Sequence, residues 1–223
     1  MTMLKKLLSY FVPVNVLKKK SAINGSLEIT WNNGELVLDS AHTNYSYGSL
    51  QRILRKGLRE VGFARIVEMD EILVLGVAGG SVVKTLSNEI GTKAKITGVE
   101  IDPEAVKLAN LYFQLNLIPN FEQFTEDAFE YLLKVQKRFD LIIIDIFQDT
   151  TMPDFLFEEY FLERVVCVLN PDGHIVFNTM ILNTAHERRN LDFRSRASKY
   201  GLSIKTLPRV ERHNEVILLH KPS

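Results

Sequence analysis

The stretch from Glu71 to Asn110 constrains the fold more than any other part of the chain. Its sequence is EILVLGVAGGSVVKTLSNEIGTKAKITGVEIDPEAVKLAN. The pattern predicts a buried strand over 72–75, a glycine-rich turn, an amphipathic helix over 82–90 and a second strand over 96–99 that ends at a carboxylate. This order is typical of the βαβ unit of a parallel sheet that binds a nucleotide at its carboxyl edge.

The glycine-rich turn has the residue types that close approach to a ligand requires. Gly76, Ala78 and Gly80 have little or no side chain, so backbone N–H groups at the start of the next helix can reach a ligand. Glu100 ends the second strand, where such folds place an acid that accepts hydrogen bonds from ribose hydroxyls. The turn lacks the G-x-G-x-x-G spacing, which disfavours a dinucleotide. The alternative for the turn is a tight strand-to-helix connection that binds no ligand, and the alternative for Glu100 is an ordinary surface carboxylate.

The residues before this unit predict a small β-structure and a helix. Residues 27–38, LEITWNNGELVL, alternate around Asn33-Gly34, which is the strongest short-range signal of a hairpin. Residues 50–61 then carry aliphatic side chains at helical spacing. We predict two units, residues 1–49 with the hairpin and residues 50–223 with the nucleotide-binding sheet. The Lys-flanked run in residues 1–20 is expected to pack on its own domain or on a partner subunit, with a peripheral membrane contact as the alternative.

Strands and helices alternate after Glu100. A strand is expected over 121–125, and the run FDLIIIDIF is so apolar that its strand must be buried on both faces of a sheet. Asp145 lies at the carboxyl end of that strand. Helices are expected over 128–135, 154–168 and 185–200, and the last two strands form an antiparallel edge. This order predicts an α/β fold with a doubly wound, mostly parallel sheet.

Composition limits the partners and the compartment. Lys plus Arg and Asp plus Glu both number 27, so no global field attracts nucleic acid. No apolar run is long enough for a transmembrane helix. The single Cys167 is expected to be a buried structural thiol and indicates a reducing, cytoplasmic compartment. The five histidines show no metal-ligand spacing, so no metal is expected. Among them His42 is the one to watch, because the family resemblance described below implies that its segment covers the site.

Five features together resemble a known family. They are the sheet pattern, the turn LGVAGGS, the segment GVEIDPEAVKLA, the segment EDAFEYL and the strand FDLIIIDIF. They are similar to the Rossmann-like fold of class I S-adenosylmethionine-dependent methyltransferases and, more narrowly, to spermidine synthases and their relatives. The likeness runs from Leu27 to the C-terminus and includes the hairpin. By resemblance alone, a homodimer through the hairpin is expected.

The resemblance implies a nucleoside site for S-adenosylmethionine or its decarboxylated form, with no metal. Gly76, Ala78 and Gly80 would face the methionine part of the nucleoside. Glu100 would hold both ribose hydroxyls, and Ile101 would lie beside the adenine.

The resemblance also implies roles for residues at the next two strand ends. Asp127 and Ala128 would read the adenine edge, because a carboxylate accepts and the exocyclic amine donates. Asp127 is equally suited to be a helix N-cap, and the two roles are compatible. Asp145 would be the base at the point where donor and acceptor meet. The substrate side would carry three further residues, Tyr47, Gln148 and Asp149.

The sequence departs from spermidine synthases where these bind a polycation. Gly79 stands where they carry an aspartate, Gln148 stands where they carry a second acid, and Tyr47 is not followed by their His-Glu pair. Binding a polyamine in a partly buried site needs paired carboxylates. We therefore expect methyl transfer to an unidentified small-molecule nucleophile. Aminopropyl transfer is the alternative, and a non-catalytic nucleoside- or protein-binding relative is the alternative of another class.

Overall fold

The computed structural model describes residues 2–40, 44–46, 49–148, 151–211 and 213–223. The predictions for His42, Tyr47 and Asp149 lie outside these residues. The described chain forms two β-sheets, of four and seven strands. No helix of the described part is long and apolar enough to cross a membrane.

The smaller sheet lies at the N-terminal end of the chain and is antiparallel throughout. Its strands follow chain order: β1 (Val14–Ser21), β2 (Gly25–Asn32), β3 (Glu35–Ser40) and β4 (Asn44–Ser46). The predicted hairpin is confirmed as β2 and β3, and its turn residues Asn33 and Gly34 both have positive φ, at 49° and 80°. Such a turn matches the twist of the flanking strands. The strands β1 and β4 extend the hairpin on either side.

The larger sheet has the predicted doubly wound order. Its strands are β5 (Glu71–Leu75), β6 (Lys95–Glu100), β7 (Phe121–Thr125), β8 (Phe139–Ile144), β9 (Leu169–Met180), β10 (Ser203–Leu207) and β11 (Asn214–His220). They lie in the order β10-β11-β9-β8-β5-β6-β7. The strands β5 to β9 pair in parallel, and β11 pairs antiparallel with both β9 and β10. The chain reverses its direction of winding between β5 and β8.

Helices cover both faces of the larger sheet. They are α2 (Ser49–Val61), α3 (Phe63–Val67), α4 (Ser81–Lys84), α5 (Pro103–Phe113), α6 (Ala128–Lys134), α7 (Glu159–Cys167) and α8 (Thr184–Lys199). The first helix, α1 (Thr2–Leu8), instead lies against β1 and β2 of the smaller sheet. One core contains Ile72 and Val74 of β5 with side chains of α2 and α5. The other contains Leu73 and Leu75 with side chains of α6, α7 and α8. Alternate residues of a strand point to opposite faces, so β5 is buried on both, as its apolar sequence predicts.

Two predicted helices differ in form from the expectation. The segment predicted as one helix over 82–90 is α4 followed by a π-helix, Thr85–Ile90. At this junction the Thr85 hydroxyl donates to the carbonyl of Ser81 at 3.0 Å, a side-chain bond that competes with the regular ladder. The segment predicted as a helix over 154–168 is a 3₁₀ turn, Asp154–Phe157, followed by α7.

The prediction that Cys167 is buried is wrong, because its side chain is exposed. The buried side of α7 carries Phe161, Leu162 and Val165. Cys167 follows Val165 by two residues, which turns its side chain by roughly 200° around the helix. It therefore lies on the opposite side from the core, even though its neighbours in sequence are apolar.

Candidate functional site

Three strand ends of the larger sheet meet at one cavity. Gly76 follows β5, Glu100 ends β6 and Asp145 follows β8, and all three line a cavity of about 360 Å³. The cavity lies where β5 separates the two halves of the sheet. In doubly wound sheets this switch point leaves a crevice outside the carboxyl ends of the strands, and ligands bind there. Its volume is within the range of small-molecule sites.

The glycine-rich turn approaches the neighbouring strand end very closely. Gly76 has φ of 86°, and a Cβ built on it would lie 2.2 Å from the carbonyl oxygen of Asp145. The backbone N–H of Asp145 donates to the carbonyl of Leu75 at 2.8 Å, and that of Gly76 donates to Val99 at 2.9 Å. Ala78 and Gly80 also have positive φ, at 46° and 75°. Only a residue without a Cβ fits at Gly76.

The carboxylate of Glu100 is buried against the turn. Its Oε2 accepts from the backbone N–H groups of Val77 at 3.1 Å and Ala78 at 2.9 Å, and its Oε1 accepts from that of Asp102 at 3.0 Å. Burial raises the pKa of Glu100, while these three hydrogen bonds act in the opposite direction. The side chain therefore holds together the turn after β5 and the loop after β6.

A second buried carboxylate, Asp102, joins the smaller sheet to this site. Its Oδ1 accepts from the backbone N–H groups of Glu104 and Ala105 and so caps α5. Its Oδ2 accepts from the hydroxyl of Ser21 and, at 2.7 Å, from the amide of Asn24. Asn24 also lines the cavity. These contacts were not predicted, because Ser21 at the end of β1 and Asn24 in the following turn both precede the predicted hairpin.

The residues predicted beside the adenine line the same cavity. They are Ile101, Asp127 and Ala128. Asp127 is the N-cap of α6, because its Oδ1 accepts from the backbone N–H groups of Phe129 at 2.8 Å and Glu130 at 3.0 Å. Both of these hydrogen bonds use one carboxylate oxygen, which leaves Oδ2 with acceptor capacity.

Asp145 is half-buried at the centre of the cavity wall. Its Oδ1 accepts from the amide of Asn178 at 2.9 Å, and the Oδ1 of Asn178 accepts from the amide of Asn214 at 3.0 Å. Burial raises the pKa of Asp145 to about 7, and the charge of Glu100 adds to this effect, whereas the hydrogen bond from Asn178 opposes it. Asn178 and Asn214 were not among the residues predicted from the sequence. Asn178 could have been identified from the sequence as a polar residue within the apolar strand β9.

The mouth of the cavity is partly aromatic. Phe147, Phe155 and Met180 line it, together with Gln148, whose side chain is exposed. The backbone of Gln148 exchanges two hydrogen bonds with Thr151, at 2.8 and 3.0 Å. Gln148 is thus the one predicted substrate-side residue that falls within the described chain. In that part of the chain, no group of three or more His, Cys, Asp or Glu side chains could hold a metal ion.

The closeness of the turn to Asp145 gives a prediction about Gly76. We expect Gly76→Ala to lower the free energy of unfolding by about 3 kcal/mol, because the new methyl group adds a backbone clash to the strain of a positive φ. Urea-induced unfolding followed by circular dichroism measures this change.

Gly91→Ala is the matched control for this substitution. Gly91 has φ of 75°, and a Cβ there meets nothing within 4 Å. Gly91→Ala therefore measures only the cost of placing a Cβ at a positive φ, and we expect it to lower the free energy of unfolding by about 1 kcal/mol. Equal losses in the two variants would show that the approach to Asp145 is not tight.

The sequence matches a family described as "Spermine/spermidine synthase domain" over residues 53–204. A polyamine aminopropyltransferase of Vibrio vulnificus is 32% identical over 130 residues, which cover 56% of this chain and 43% of that protein. The human eEF1A lysine and N-terminal methyltransferase is 26% identical over 119 residues, covering 48% of this chain and 17% of that protein. The chain thus spans less than half the length of these two relatives.

A solved structure has the same fold. Human methyltransferase-like protein 13, in complex with S-adenosylhomocysteine, superimposes with a TM-score of 0.65 at 19% identity and covers 79% of this chain and 83% of that one. The family match includes the turn, Glu100, Asp127 and Asp145, and it takes in more than half of the chain. The chain therefore belongs to the spermine/spermidine synthase domain family.

Proposed function

We propose that this chain is a transferase that takes an alkyl group from S-adenosylmethionine or its decarboxylated form. The observation that carries the proposal is the meeting of Gly76, Glu100 and Asp145 at one cavity on the switch point of the sheet. The relatives support the class of reaction, since one is an aminopropyltransferase and the other a methyltransferase.

The backbone and side-chain groups that line the cavity are chemically suited to a nucleoside. The close packing of Gly76 on the backbone of Asp145 brings the glycine-rich turn and the end of β8 to the same cavity, and we assign Gly76, Ala78 and Gly80 to the methionine part. We assign Asp127 and Ala128 to the adenine edge, with the free acceptor capacity of Asp127 on the exocyclic amine. Ile101 would pack beside the ring.

Glu100 is assigned to the ribose, with one refinement over the sequence-based expectation. A carboxylate offers about four acceptor positions, and three of them already accept backbone N–H groups. One ribose hydroxyl can bond without any rearrangement. A second hydroxyl would require one of the N–H groups of Val77 or Ala78 to leave the carboxylate.

We assign Asp145 the role of base toward the acceptor. A sulfonium nucleoside supplies an alkyl group that is already activated for transfer. Asp145 would accept the proton of an acceptor amine or hydroxyl and orient it, with Asn178 holding the carboxylate in place. A base works best when its pKa lies near the working pH, and the pKa of Asp145 is about 7.

Between the two transfers we favour methyl. Gly79 and Gln148 replace acids that a polyamine site would use, which supports a small-molecule acceptor with fewer positive charges. Aminopropyl transfer is the second candidate, and it is favoured by the family match and by the Vibrio relative.

Calorimetric titration with S-adenosylmethionine, its decarboxylated form and methylthioadenosine tests the proposal. We expect all three to bind, with S-adenosylmethionine at least about tenfold tighter than the decarboxylated form, because only S-adenosylmethionine has a carboxylate that backbone N–H groups of the turn can bind and no acid at position 79 repels it. The reverse order would favour aminopropyl transfer. Binding of none of the three would contradict the transferase assignment.

A further inference from the structure

The first helix and the turn after it expose a concentrated apolar surface. We call residues 2–20 the N-terminal arm. Seven of its large apolar side chains are between 47% and 87% exposed: Met3, Leu4, Leu7, Leu8, Tyr10, Phe11 and Val12. Single exposed apolar residues are common on proteins, but a contiguous group of this size marks an interaction surface.

The arm is fixed to the smaller sheet through its polar atoms. The backbone N–H groups of Asn33 and Gly34 donate to the carbonyl and hydroxyl of Ser9, both at 3.0 Å. Ser9 is buried, and the ammonium of Lys6 lies 5.7 Å from the centre of the Trp31 ring. Tyr10 lies against Gly34 in the hairpin turn, whereas the other six apolar side chains point largely into solvent. The sequence-based expectation that residues 1–20 pack on their own domain or on a partner subunit is met in part, because Ser9 is buried and Val16 and Leu17 pack against the core. Packing on a partner subunit stays a prediction.

Helix α1 separates apolar from basic side chains. At about 100° per residue, Met3, Leu7, Leu4 and Leu8 fall within an arc of roughly 140°. Lys5 and Lys6 occupy the rest of the circumference. Tyr10 and Phe11 then continue the apolar surface. This arrangement is typical of segments that lie in the boundary between lipid headgroups and acyl chains.

The charge of the arm points to an anionic partner. Residues 2–20 contain five lysines and no Asp or Glu, although the whole chain has no net charge. Lys18 forms an ion pair with Glu28, and Lys6, Lys19 and Lys20 are exposed. A second copy of the chain would bring its own lysines to the same contact, and like charges oppose such pairing. Lysines beside an apolar surface instead complement lipid phosphates.

We propose that the N-terminal arm binds the surface of an anionic lipid bilayer, with its apolar side chains in the headgroup boundary and its lysines on lipid phosphates. Binding would be peripheral and sensitive to salt, because exposed charges are screened. It would place the chain at a membrane without a spanning segment.

Co-sedimentation of the full chain with lipid vesicles tests the proposal. We expect binding to vesicles of phosphatidylglycerol mixed with phosphatidylcholine, weak binding to pure phosphatidylcholine, and release at about 0.5 M salt. Leu4→Ser combined with Phe11→Ser should lower the bound fraction at least about tenfold. The matched control is Leu111→Ser combined with Leu117→Ser, since these side chains lie outside the arm and are 71% and 67% exposed.

A variant that changes only lysines tests the proposal without altering the apolar side chains, whose substitution could disturb the fold. Lys19→Gln combined with Lys20→Gln should reduce binding to the anionic vesicles while leaving the apolar surface intact. Equal binding to both kinds of vesicle, or to neither, would overturn the proposal. The proposal would also be overturned if the chain bound no vesicles and light scattering showed a dimer that the Leu4→Ser and Phe11→Ser substitutions dissociate. That result would assign the surface to a second copy.

Discussion

Glu100→Gln is expected to weaken the binding of S-adenosylmethionine by about 100-fold or more, because it removes a charged acceptor and disturbs the turn beside it. One side of the carboxylate faces the N–H of Asp102, and the other faces the N–H groups of Val77 and Ala78. A carboxamide has an N–H₂ group on one side, so either orientation sets a donor against a backbone donor. Calorimetric titration measures the loss.

Glu104→Gln is the control for this experiment. Glu104 lies four residues further along the chain, in the first turn of α5, and its carboxylate pairs with Lys107 at the surface. We expect the nucleoside affinity of this variant to stay within about twofold of wild type, since exposed ion pairs contribute little. If Glu100→Gln binds as tightly as Glu104→Gln, the assignment of Glu100 to the ribose is wrong.

The transfer rate is expected to depend on pH through Asp145. The carboxylate is the form that accepts a proton, and burial raises its pKa to about 7. The rate should therefore fall as pH drops through 7, about tenfold per unit below it, and level off at higher pH. An ordinary aspartate would instead lose activity only near pH 4. A profile of kcat against pH, measured with saturating donor, follows this change.

Two substitutions identify the group responsible for that profile. Asp145→Asn should lower kcat by about 10²- to 10⁴-fold and remove the pH dependence, while nucleoside affinity changes little. Asn178→Ala removes a hydrogen bond that favours the carboxylate. It should therefore move the fall in activity to higher pH. An unchanged profile in Asp145→Asn would assign the titration to another group.

Local patterns were sufficient to predict most of the large sheet and its site. The strands β5, β6 and β8 were evident because continuous apolar runs are buried on both faces. The hairpin was evident because Asn33-Gly34 determines its turn. Each of these signals is contained within a few consecutive residues. Because these strands of the large sheet are parallel, the residues at their carboxyl ends lie at the same edge of the sheet.

The features that were missed depend on contacts between distant segments or on departures from regular patterns. The strand β1 contains LKKKS, which lacks a clear alternation, and it forms only because β2 offers a pairing edge. The bonds from Ser21 and Asn24 to Asp102 span about eighty residues of sequence. The π-helix at Thr85–Ile90 is a local distortion that helical periodicity does not register.

The position of the nucleoside is tested most directly by a crystal structure of the chain with S-adenosylhomocysteine bound. We expect the ribose within hydrogen-bonding distance of Glu100, the adenine amine at Asp127 and the sulfur facing Asp145. We also expect that a second ribose bond to Glu100 appears only if a backbone N–H of the turn has left the carboxylate. A nucleoside bound elsewhere, with the three backbone bonds of Glu100 intact and no ribose contact, would contradict this assignment.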